Sequence, residues 1–160
     1  MPARALGAWL PVVLWAALIL GLGSDHFSLS ETSRILGPLL DWLFPDLAAA
    51  ERTRLILLAR KSAHAIEYGV LALLVFRALR LVTARRALAC AAFALVFVAG
   101  LSGADERRQA RSTARTGSAQ DAALDVAGGA AVLAALLAIE RRRGRPLWQP
   151  PEPAPDAEAA

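Results

Sequence analysis

Apolar blocks about as long as a bilayer is thick constrain this chain more than any other feature. Leu6–Gly23 and Ala87–Gly103 carry almost no polar side chains, and Asp121–Ile139 carries acids only in its first turns. A fourth block, within Leu55–Leu79, is apolar on either side of a charged patch, Arg60–Tyr68. At 1.5 Å per residue, about 20 residues cross the ~30 Å hydrocarbon core of a membrane. Hydrophobic residues make up 56% of the 160, and the mean hydropathy is +0.44, too apolar for an ordinary soluble domain of this size. Ala and Leu dominate and β-branched residues are sparse outside the blocks, which favours helices over barrel strands. The pattern predicts an all-α, integral membrane four-helix bundle with spans at about 6–23, 58–79, 87–103 and 121–139.

The connections refine this outline. Arg4 precedes the first block and Trp9 is placed to anchor it at an interface. Gly21–Ser24 resembles a signal-peptidase site, but the further spans favour a retained helix. In Asp25–Thr53, Ile35, Leu36, Leu39, Leu40 and Leu43 share one helical face and Arg34 and Asp41 another. That predicts an amphipathic interfacial helix between the first two spans, with Ser30 as N-cap and Phe44-Pro45-Asp46 as its end. Packing across the mouth of the bundle is the alternative. Asp105–Gln120 reads as a polar connection, and 146–160 as a disordered tail outside a 1–145 membrane domain. The lone Cys90 predicts a buried thiol.

The net charge of +4 arises from arginines beside the apolar blocks, so anionic membrane lipids, and no nucleic acid, are the expected partners. Four spans with both termini cytoplasmic divide the basic residues equally between the two sides. The Arg77–Arg86 and Arg141–Arg145 clusters directly abut spans, where the positive-inside rule acts most strongly, and this favours cytoplasmic termini. The expected location is a bacterial cytoplasmic (inner) membrane.

Charged residues inside a span cost about 2.5–3.5 kcal/mol each at mid-bilayer on insertion scales, so they turn towards protein or water and raise a functional question. The Arg60–Tyr68 patch holds the only lysine, Lys61, the only tyrosine, Tyr68, and one of two histidines, His64. Alternating spans bring the start of the second, the end of the third and the start of the fourth to one face of the membrane. Those ends carry Lys61, His64, Glu67 and Tyr68, then Asp105, Glu106, Gln109, Arg111 and Arg115, then Asp121 and Asp125. Lys61, His64 and Tyr68 share a helical face at spacings of three and four. Duller roles compete at each position. Ser118 and Asp121 fit a capping box, and Glu67 is placed to pair with Arg60 or Lys61. A lone histidine is more often a packing residue than a catalyst, and His26 has no evident partner. The joint occurrence at three co-facial ends is what points to a site.

These residues resemble the VanZ-like family of small multi-pass membrane proteins. The resemblance rests on Arg60-Lys61-x-x-His64-x-x-Glu67-Tyr68-x-x-Leu71, on Asp105-Glu106-x-x-Gln109, and on Arg115-x-Gly117-Ser118-x-x-Asp121-x-x-x-Asp125-x-x-Gly128. Arg111-Ser112-Thr113-Ala114 departs from the apolar-Pro-Gly approach to the arginine that relatives often carry. The resemblance implies a cell-envelope role, because the founding member is associated with resistance to the glycopeptide antibiotic teicoplanin.

Two functional expectations follow. In the first, an outward-facing polar pocket binds a lipid-linked or phosphorylated cell-wall component, with Lys61 and Arg115 holding the anion and Tyr68, Asp105, Gln109 and Asp121 lining it. In the second, the pocket is an active site in which Glu67 orients His64 as a general base, with Asp105, Glu106 or Asp125 as partner acid. No phosphate-binding glycine loop, nucleophile elbow or zinc motif is present, so no cofactor and no metal is assigned. A metal held by His64, Glu67, Glu106 and Asp125 is the variant of this reading. A third expectation is a structural module whose polar residues only tie helix ends together.

Overall fold

The computed structural model describes residues 2–22, 29–83, 85–111 and 118–149. These form five helices and, among the described residues, no strand: α1 (Pro2–Leu22), α2 (Leu29–Leu43), α3 (Ala49–Val82), α4 (Ala87–Gln109) and α5 (Ala119–Arg143). His26, Arg115 and residues 150–160 lie outside the described residues, as does the side chain of Ser30.

Among the described residues three helices are long and apolar enough to cross a membrane: α1 from Arg4, α4 and α5. The expected fourth span, α3, is not one of them, because Lys61, His64, Glu67, Arg77 and Arg80 punctuate its apolar residues. Its 34 residues give a helix of about 51 Å, well beyond one bilayer core. The ion pair between Asp41 and Arg52 ties α2 to its first turns.

α3 is the hub, touching each of the other four helices. Its buried stripe of Tyr68, Leu71, Ala72, Val75 and Phe76 joins Cys90, Ala94 and Val98 of α4, Leu133 and Leu136 of α5, and Ala8, Val12 and Ile19 of α1 in one core. The Cys90 thiol is buried there, as its position mid-block predicts. The outward faces are apolar too, with Leu6, Leu10, Val13 and Leu14 on α1 and Leu88, Phe93, Val96 and Phe97 on α4 all exposed. A surface of that kind suits lipid and not water.

α3 and α5 run parallel, with α4 antiparallel between their contacts. Gly128 and Gly129 let them close: a Cβ on Gly128 would collide with the backbone of Ala65, at 3.0 Å from its Cα, and one on Gly129 would sit 3.2 Å from Val98. At the far end Arg80 is buried, donating to the Arg85 carbonyl at 2.9 Å and standing 3.5 Å from Glu140. Glu140 also accepts from the Leu147 backbone N–H at 3.0 Å, and Trp148 packs edge-on against Phe76. The first residues assigned to a tail therefore fold back onto the core.

Candidate functional site

The three helix ends converge, as connectivity and spacing predict. α3 and α5 meet as a parallel pair, so residues at matching heights face each other in layers. In the outermost layer the half-exposed Lys61 ammonium donates to Asp121 Oδ1 at 2.7 Å. One turn deeper, His64 Nδ1 stands 3.7 Å from Asp125 Oδ1, beyond hydrogen-bond length but in direct electrostatic contact. The side chain of His64 is 22% exposed and that of Asp125 only 1%. The other Asp125 oxygen, Oδ2, accepts from Ser102 Oγ of α4 at 2.8 Å. Deeper still, Tyr68 is fully buried within electrostatic reach of Asp105, Asp125, Glu106 and Glu67, and its hydroxyl finds no hydrogen-bond partner among the described residues.

The end of α4 differs from expectation. Asp105, Glu106 and Gln109 do not sit in a polar connection, because α4 continues through them and buries all three. The helix persists because its polar groups are satisfied locally. Gln109 donates to Asp105 Oδ2 at 2.8 Å, and Arg108 donates to Asp105 Oδ1 at 2.8 Å and to the Leu20 carbonyl of α1 at 2.6 Å. Asp105 and Gln109 thus hold the α1–α4 corner, with Arg108 as the strap.

The start of α5 is capped by two helices. Ser118 Oγ accepts from the N–H groups of Gln120 and Asp121 at 3.1 and 3.3 Å, which is half of the expected capping box. The reciprocal half is not made by Asp121. Glu106 Oε2, from α4, accepts the Ser118 N–H at 2.6 Å and leaves Asp121 for Lys61. Replacing Glu106 by Ala strips this N–H of its acceptor and is expected to cost about 2 kcal/mol, read as a lower thermal midpoint in detergent. Glu106→Gln, whose amide oxygen still accepts, recovers most of that loss.

Sequence reasoning missed two residues. Ser102 is an isolated hydroxyl near the end of an otherwise featureless span, one turn before Asp105, which is the signal that marks it. Trp15 donates from Nε1 to the Glu67 carbonyl at 2.8 Å, locking α1 to α3 beside the cluster. The expected carboxylate orienting His64 was Glu67; the one facing Nδ1 is that of Asp125. Among the described residues no three of His, Cys, Asp and Glu are gathered closely enough to hold a metal ion, so the four-ligand variant does not form. Arg115 lies outside the described residues, and Arg111 is exposed at the end of α4.

Three apolar spans around a punctuated central helix, with a polar cluster at one end, define an α-helical membrane protein. The VanZ/LLP1 family profile matches residues 6–140, and the chain belongs to that family. Comparison with curated proteins returns no match, and comparison with solved structures returns none.

Proposed function

We propose that the chain is a bacterial inner-membrane protein with four spans, α3 included, and α2 lying in the interface. Its polar cluster faces outward as a pocket for a lipid-linked, phosphorylated cell-wall component. The observation that carries this reading is the layering of the cluster: a half-exposed lysine at the rim above a histidine that reaches a buried carboxylate. Lys61, with Arg115 from the adjoining segment, holds the phosphate by charge-assisted bonds. Of the carboxylates near that anion, Asp105 is offset by the Arg108 guanidinium at 2.8 Å.

Saturable binding of polyprenyl phosphate to the purified protein tests this. Lys61→Met removes a half-exposed ion pair and is expected to change stability by less than about 1 kcal/mol. The same substitution is expected to weaken binding about tenfold, since a charge-assisted bond to phosphate is lost. Wild-type protein that fails to bind any polyprenyl phosphate, or a Lys61→Met variant that binds equally well, contradicts the reading.

A catalytic reading is favoured by one specific observation, the His64–Asp125 contact. A buried aspartate facing a partly exposed histidine is placed to orient the imidazole once the 3.7 Å gap closes to a hydrogen bond, as a general base requires. In that reading Ser102 positions Asp125, Asp125 orients His64, and Lys61 holds the substrate phosphate. Turnover of a lipid-linked phosphate by wild-type but not His64→Gln protein separates it from simple binding.

A further inference from the structure

A second place where cations meet apolar walls lies at the opposite end of the bundle. There a cavity of about 410 Å³ opens between α1 and α3, lined by Arg4, Gly7, Ala8, Arg77, Leu81 and Gln149. No carboxylate lines it, and neither arginine makes a hydrogen bond or ion pair among the described residues. Two guanidinium groups across one small space repel each other unless an anion sits between them. Apart from Gln149 the remaining wall is apolar, and Gly7 leaves it open: a Cβ there would meet nothing within 4 Å. Arg77 lies six residues before the Thr83 C-cap, about 9 Å in from the end of α3, and Arg4 lies in the first turn of α1.

We propose that this cavity binds the headgroup of an anionic membrane phospholipid. Arg4 and Arg77 clasp the phosphodiester, for which the guanidinium fork is suited in geometry and in weak hydration. The acyl chains run along the exposed Leu10 and Leu14 of α1, three and seven residues on from Gly7 and so on its side of the helix. That continuity favours a lipid over a free phosphate, which would leave the apolar walls uncovered. Leu147 and Trp148, anchored through Glu140 and Phe76, carry Gln149 to the rim. The site is separate from the Lys61–Asp125 cluster, so its failure would leave the reading of that cluster untouched.

Native mass spectrometry of the full chain, titrated with phosphatidylglycerol, phosphatidylcholine or glycerol 3-phosphate, reads this out. The expected result is retention of phosphatidylglycerol, at least tenfold weaker retention of phosphatidylcholine, and no competition by glycerol 3-phosphate. Arg77→Gln and Arg4→Gln are each expected to weaken phosphatidylglycerol binding about tenfold. Gly7→Leu, which fills open space and leaves both charges in place, is expected to do the same with a thermal midpoint no lower than wild type, and it decides the matter if an arginine variant fails to fold. Equal retention of the two lipids overturns the proposal, as does competition by glycerol 3-phosphate or wild-type binding in the folded variants. So does phosphatidylglycerol binding that appears only after residues 150–160 are removed, because Glu152, Asp156 and Glu158 would then be the occupants.

Discussion

Replacing Gly128 by Leu is expected to destabilise the protein by about 3 kcal/mol or more, the upper end of what overpacking costs. The neighbour that a side chain would meet is the α3 backbone at Ala65, which cannot rotate away as a side chain can. α3 and α5 must therefore separate. The contact lies just below the Lys61–Asp121 and His64–Asp125 pairs, so separation pulls both apart. Even Gly128→Ala is expected to show much of the effect, because the collision is with Cβ itself. Gly100→Ala is the control: nothing lies within 4 Å of the added methyl, and helix propensity gains roughly 1 kcal/mol. Thermal midpoints in one detergent check both; a Gly128→Ala protein as stable as wild type would show that the close approach is not required.

The second large effect is expected at Asp125. Its carboxylate is buried against Ser102 on one oxygen and His64 on the other. Asp125→Asn keeps volume and an acceptor for the Ser102 hydroxyl, so the fold is expected to survive with a thermal midpoint within a few degrees of wild type. The amide presents a donor to His64 Nδ1 as readily as an acceptor, so it no longer directs the imidazole as a carboxylate does. In the catalytic reading, a drop of about 10²–10⁴-fold follows, the usual worth of a positioned general base. Ser102→Ala is the graded companion, losing one buried hydrogen bond worth about 1 kcal/mol while leaving the charge in place. An Asp125→Asn protein that is folded and fully active would remove Asp125 from the functional centre.

Much of this was legible from residues alone, for physical reasons. Helical content follows from the Ala and Leu blocks, and convergence of the three polar ends follows from connectivity. The facing stripe of Lys61, His64 and Tyr68 follows from spacings of three and four. What was hidden required partners from other helices. Apolar density stops at Gly103, so the helical run through Gln109 is invisible until Arg108, Gln109 and the Leu20 carbonyl are seen to satisfy Asp105 and anchor the turn. The capping box reads correctly at Ser118 but assigns its second half to the wrong residue, because Glu106 comes from 12 positions away. Arg80 looked like one of a basic cluster abutting a span and instead lies buried beside Glu140. Leu147 and Trp148 were lost in a stretch whose Pro and acid content signals disorder, although an adjacent Leu and Trp are themselves a docking signal.

The central claim is that the cluster is a functional centre and not a set of ties between helix ends. It is tested most directly by expressing His64→Gln in a strain lacking this protein, at a folded level in the membrane matched to wild type, and measuring growth under glycopeptide or other envelope stress. The account predicts that the variant folds with an unchanged thermal midpoint and fails to restore growth. Growth restored to the wild-type level by the folded variant would contradict it.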